Sequence, residues 1–149
     1  MTDAPPDHPD TAIWNPNAAA NWSLIFTPAF GAYLQALNWE ALGEPAKARA
    51  SRAWFEASLG VLALYVVLNV VVSDVDTAVT LGRVIGTTFV IVWYFASGRA
   101  QARYVKARFG ADYPRRPWGR VLLVAVGALA GYVIFGTVVG VVALLGAGT

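Results

Sequence analysis

Ser51, Ser58, Tyr65, Asn69 and Ser73 follow one another at intervals of 7, 7, 4 and 4 residues, the spacing that places side chains on one face of a helix. Arg83, Thr87, Tyr94, Ser97 and Gln101, spaced by 4, 7, 3 and 4, make a second stripe of the same kind. Both run through otherwise apolar sequence, and only the turn Ser73-Asp74-Val75-Asp76 separates them. The two helices are therefore expected to lie antiparallel with their polar faces together. Ser58, Tyr65, Asn69, Arg83, Thr87 and Tyr94 are the candidate intramembrane site, with Arg83 able to pair with Asn69, Asp74 or Asp76, or to snorkel to water. One chemistry such stripes support is a polar pathway or ligand site with Arg83 as the anion contact. The other is adhesion, in which hydroxyl and amide groups hold two helices together at about 0.6 kcal/mol per bond. Adhesion is the stronger reading. No carboxylate lies near the bilayer centre, where a proton-coupled carrier needs one.

Small residues supply a second pattern. Gly82 and Gly86 form a GxxxG in the second stripe's helix, and Gly127–Gly131 and Gly136–Gly140 form two more near the C-terminus. The latter pairs point to nearly opposite faces, so that helix can pack within its own chain and also against a partner or a second copy. A third pattern is charge. Arg99, Arg103 and Lys106 share a helical face ending at Gly110, and Arg115 and Arg116 follow before Pro117-Trp118. This cluster is expected to contact anionic lipid headgroups, and no nucleic-acid-binding module surrounds it.

Catalysis finds no footing. The chain has no cysteine, its one histidine is His8 in the N-terminal tail, and no G-x-S-x-G occurs. A non-enzymatic protein without cofactor or metal is expected.

The elements that must position these residues are membrane spans. Charged residues make up only 13% of the chain, about half the share of a soluble domain, and the apolar residues lie in long blocks. The expected fold is an all-α polytopic bundle of four transmembrane helices, at about 21–38, 53–73, 77–97 and 120–147. The third-last of these helices begins early, at Pro45. The first span contains Pro28 and Gly31, so it is either a kinked crossing helix or a re-entrant segment; the crossing reading is favoured. Residues 1–14 read as an acidic, disordered tail with no basic n-region of a signal peptide, and 15–149 as one transmembrane domain. All of the 11 basic residues except Arg83 fall in the connection between spans one and two or that between three and four. The positive-inside rule then puts both connections in the cytoplasm and both termini outside.

The run Trp22-Ser-Leu-Ile-Phe-Thr-Pro-Ala-Phe-Gly31, with Asn38-Trp39, Ala41-Leu42-Gly43 and Trp54-Phe55, resembles small uncharacterised multi-spanning inner-membrane proteins of bacteria. The resemblance covers the first third of the chain and implies a location rather than an activity. The expected function is binding of a membrane partner, as an accessory or toxin-immunity protein does. The alternative is a subunit of a small channel or transporter with its pathway between spans two and three.

Overall fold

Prolines stand at helix starts rather than helix middles. In a computed structural model, which describes residues 12–147, α1 (Pro16–Phe26), α2 (Pro28–Ala41) and α3 (Pro45–Val71) each carry a proline in the first turn. A proline there forfeits no intrahelical bond, because the first N–H groups of a helix have no partner. Asn15 caps α1, its side-chain oxygen accepting from the N–H groups of Asn17 (3.0 Å) and Ala18 (3.3 Å). Then come α4 (Val75–Trp93), a π-helical turn (Tyr94–Gly98), α5 (Arg99–Phe109) and α6 (Gly119–Ala147). Asp74 caps α4, and Gly110, at φ +63°, ends α5.

The segment expected to be one kinked helix is two helices. It breaks at Thr27, whose backbone adopts φ 81° and ψ 158°, and the chain folds back on itself. The Asn38 side chain binds both backbone groups of Trp14, while Gly31 abuts the Ser23 hydroxyl. Residues 14 and 38, and 23 and 31, therefore face each other across a turn centred on Thr27. Pro28 starts the second arm instead of bending a single helix. The arms, about 16 Å and 21 Å long at 1.5 Å per residue, are each shorter than a hydrocarbon core of about 30 Å. Three helices are long and apolar enough to cross a membrane: Pro45–Val71, Val75–Phe109 (α4 through α5) and Gly119–Gly146.

The hairpin is the core of the molecule. Pro28, Ala29, Gly31, Ala32, Leu34, Gln35, Ala36, Asn38 and Trp39 of α2 are all buried, and α2 packs chiefly on α3. The long helices keep most of their apolar surface outward, with Leu123, Leu144 and Val71 each more than two-thirds exposed, as lipid-facing helices do. The hairpin tip reaches the level of Tyr132, whose hydroxyl donates to the Leu62 carbonyl at 2.9 Å. That point lies about 20 Å along α6 from Gly119, near the middle of the helix.

The described chain begins at the basic end of this unit. Ile13 is fully buried; its N–H donates to the Pro114 carbonyl (3.1 Å) and its carbonyl accepts from the Arg116 N–H (2.9 Å). Arg116 Nε also donates to the Ala12 carbonyl (2.8 Å), and its guanidinium lies 4.7 Å from the centre of the Trp14 ring. Ile13 and Trp14, read from composition as part of the acidic tail, are thus held against the basic connection; Asp3, Asp7, His8 and Asp10 lie outside the described residues. Residues 12–14 lie beside the start of α6, and the far end of that helix is at the opposite end of the unit.

Candidate functional site

Tyr65 accounts for the first GxxxG. Its hydroxyl donates to the Gly82 carbonyl, and its ring lies where a side chain on α4 would go. A Cβ at Gly82 would come within 2.6 Å of Tyr65 Cε1, and one at Gly86 within 2.6 Å of Tyr65 Oη. Ser58 and Asn69 of the α3 stripe turn back on their own helix. Ser58 Oγ donates to the Trp54 carbonyl (2.7 Å) and Asn69 Nδ2 to the Tyr65 carbonyl (2.7 Å). Tyr65 against these two glycines closes one part of the contact between α3 and α4, and the rings of Trp54 and Phe89, 5.8 Å apart, close another.

Beside that contact, under the hairpin tip, lies an open cavity of about 440 Å³. Ser58, Tyr65, Arg83 and Thr87 of the expected site line it, together with Ser23 and Thr27 of the hairpin. Asn69 and Tyr94 do not. Asn69 is one turn too far along α3. Tyr94 lies about two turns beyond Thr87, past the end of α4, and lines a cleft with α5 instead. Among the described residues Arg83 makes no hydrogen bond or ion pair. Its expected partners are otherwise engaged or apart. Asn69 is bonded to α3, and a carboxylate oxygen of Asp74 accepts from the Thr77 N–H at 2.8 Å, a bond that holds the Asp74 pKa below its ordinary value. A second groove, of about 450 Å³ and almost wholly apolar, separates Phe30, Tyr33 and Phe55 from Val121, Val124 and Ala125 of α6.

The lower part of the second stripe faces α2 rather than α3, and there the structure contains a buried amide network. Gln35 Nε2 donates to the carbonyls of Ser97 (3.4 Å) and Gly98 (3.1 Å), and Gln35 Oε1 accepts from Ser97 Oγ (3.1 Å). Gln101 Nε2 donates to the Gln35 carbonyl (2.9 Å), and its Oε1 accepts from Asn38 Nδ2 (2.9 Å). Gln35 and Gln101 are fully buried and Asn38 nearly so. A π-helical turn leaves backbone carbonyls off the regular ladder, and Gln35 satisfies two of them. The sequence reading placed Ser97 and Gln101 on a polar face but missed Gln35 and Asn38. Their separation of three residues in an apolar segment was the available signal.

The basic cluster divides. Arg99, Arg103 and Lys106 line a cleft of about 230 Å³ with Tyr94, Gly98 and Ala102, walled on the other side by Asn17, Ala20 and Asn21 of α1. Arg115 and Arg116 lie outside it. Arg115 donates to the Ala111 carbonyl (3.1 Å) and lies over Tyr113, and Arg116 holds the N-terminal segment. On α6, a Cβ placed at Gly127, Gly131, Gly136 or Gly140 would meet nothing within 4 Å. None of these glycines serves packing within the chain, so the internal half of their expected double role is not realised.

The chain matches no known family profile, no curated protein and no solved structure.

Proposed function

We propose that this is a small non-enzymatic inner-membrane protein that binds a membrane partner in the cavity beneath the hairpin tip. Three helices cross the bilayer around a re-entrant hairpin, with residues 12–14 and the basic connections in the cytoplasm. This orientation keeps the positive-inside rule and assigns the cavity to the outer half of the bilayer. Arg83 carries the reading. A cation in a membrane helix costs roughly 2.5–3.5 kcal/mol at the helix centre and ordinarily faces a partner or a water-filled cavity. Here it lines an open cavity with Thr87, Ser23 and Thr27 and has no partner among the described residues. The complementary ligand is an apolar membrane component bearing an anionic or acceptor group, which fits an accessory or immunity role. Against a transport pathway weighs Tyr65, which fills the space between α3 and α4 where the lumen would run.

The test combines native mass spectrometry of the gently extracted protein with solute flux in proteoliposomes. Wild type should retain a component that Arg83→Leu and Thr87→Leu lose and Asn69→Leu keeps, and none of the four proteins should conduct. Flux through wild type that Arg83→Leu abolishes would establish a pathway instead.

A further inference from the structure

We infer that the cleft between α1 and α5 is a binding site for the phosphate headgroup of an anionic phospholipid in the leaflet at the basic end. Five of the cations at the basic end already have partners. Lys47 pairs with Glu44 (3.2 Å), Arg52 pairs with Glu40, Arg108 donates to the Tyr104 hydroxyl (2.6 Å), and Arg115 and Arg116 are held by backbone carbonyls. Among the described residues Arg103 and Lys106 have no such partner, and Arg99 has only the Phe95 ring at 5.4 Å. These three cations share one helical face and one cleft.

Among the described residues, no carboxylate lines that cleft. Its opposite wall offers the amides of Asn17 and Asn21, one turn apart on α1, and its upper edge the hydroxyl of Tyr94. Like charges at this spacing repel, so three cations gathered with no negative charge among the described lining residues call for an anion. A free anion would leave the adjoining surface unexplained. Directly above the cleft, Leu24 and Ile25 of α1 and Ile91 and Phe95 of the neighbouring helix are 64%, 61%, 51% and 60% exposed. They form an apolar track from the cleft towards the hairpin tip, where an acyl chain can lie. Donors below and an apolar track above match a lipid phosphate rather than inorganic phosphate. The hairpin builds the site, because only by folding back does α1 stand beside α5.

The test exchanges equimolar phosphatidylglycerol and phosphatidylcholine of the same chain length into the purified full chain and counts retained lipids by native mass spectrometry. At about fivefold per neighbouring cation, wild type should prefer phosphatidylglycerol by on the order of a hundredfold, and Arg103→Gln with Lys106→Gln should lower that to about fivefold. Asn21→Leu, which keeps every charge, should also lower the preference, whereas Arg115→Gln should not. Circular dichroism and gel filtration check that each variant is folded. Millimolar inorganic phosphate or glycerol phosphate should leave the bound lipid in place. Equal retention of both lipids, an effect of Arg115→Gln as large as that of the double variant, or an unaltered preference in Asn21→Leu would each overturn the site. Displacement of the lipid by free phosphate would reassign the cleft to a soluble anion.

Discussion

Replacing Asn38 with leucine removes the clamp that closes the hairpin. Three hydrogen bonds end on that side chain: Trp14 N–H to Oδ1 at 3.0 Å, Nδ2 to the Trp14 carbonyl at 2.8 Å, and Nδ2 to Gln101 Oε1 at 2.9 Å. Leucine fills a similar volume, so little of the effect is a cavity. The loss of the Gln101 bond is the most costly, because Gln101 is fully buried and its oxygen keeps no other donor. An orphaned buried acceptor costs about 1–3 kcal/mol, and each of the two bonds to the partly exposed Trp14 backbone contributes about 0.5–1.5 kcal/mol. The net destabilisation should be about 2–6 kcal/mol, and α1 should loosen first, since its anchor is the group removed. Unfolding in mixed micelles with increasing dodecyl sulfate measures the total, and amide hydrogen exchange along α1 gives its location. A loss below about 0.5 kcal/mol, within the range of unremarkable substitutions, would refute the assignment of Asn38 as the clamp. So would exchange that rises equally in α1 and α6.

Thr27 occupies a backbone region that is essentially reserved for glycine. Thr27→Gly should therefore stabilise the protein by about 1 kcal/mol in the same titration, after the entropic cost of glycine is deducted. Gly82→Ala should destabilise by about 1–3 kcal/mol, because the new methyl meets the Tyr65 ring at 2.6 Å. In the monomer Gly131→Ala should be neutral or stabilise by up to about 1 kcal/mol, since nothing lies within 4 Å. A destabilising Gly131→Ala that becomes neutral on dilution would reveal self-association through α6. Glu44 accepts from the Tyr104 hydroxyl and pairs with Lys47, and these contacts hold its pKa below the ordinary 4.5. Its contribution is present above pH 4.5 and disappears as the pH falls through the lowered value. The stability difference between wild type and Glu44→Gln should thus shrink below pH 4.5; a difference that grows there would contradict the assignment.

The long helices were legible because their signal is additive: α6 has no charge from Val121 onward, and no local detail can outweigh that much apolar surface. Gly110 and Pro45 were legible as helix limits for similarly local reasons. Pro28 was ambiguous because the same residue kinks a helix from the inside and starts one at the first turn; only the Thr27 backbone decides between them. That ambiguity carried into the site. With Asn21 to Leu37 taken as a span, Asn38 sits at one boundary and Asn17 before the other, whereas the hairpin brings one to Gln101 and the other to Arg103. The π-helical turn misled in a different way. It adds a residue between Tyr94 and Gly98, so a face counted correctly along α4 is shifted towards the end of the stripe, where Ser97 and Gln101 bond to α2.

The central claim is that the chain turns back at Thr27 and Pro28 rather than crossing there, and the absence of native cysteine makes it directly measurable. Single variants Asn17→Cys, Ala111→Cys and Asp76→Cys are exposed to a membrane-impermeant maleimide added outside intact cells, then again after permeabilisation. The hairpin predicts that Asp76→Cys reacts from outside, while Asn17→Cys and Ala111→Cys react only once the membrane is opened. Labelling of Asn17→Cys from outside, with Ala111→Cys still protected, would mean that the first segment crosses the bilayer, and would contradict the account.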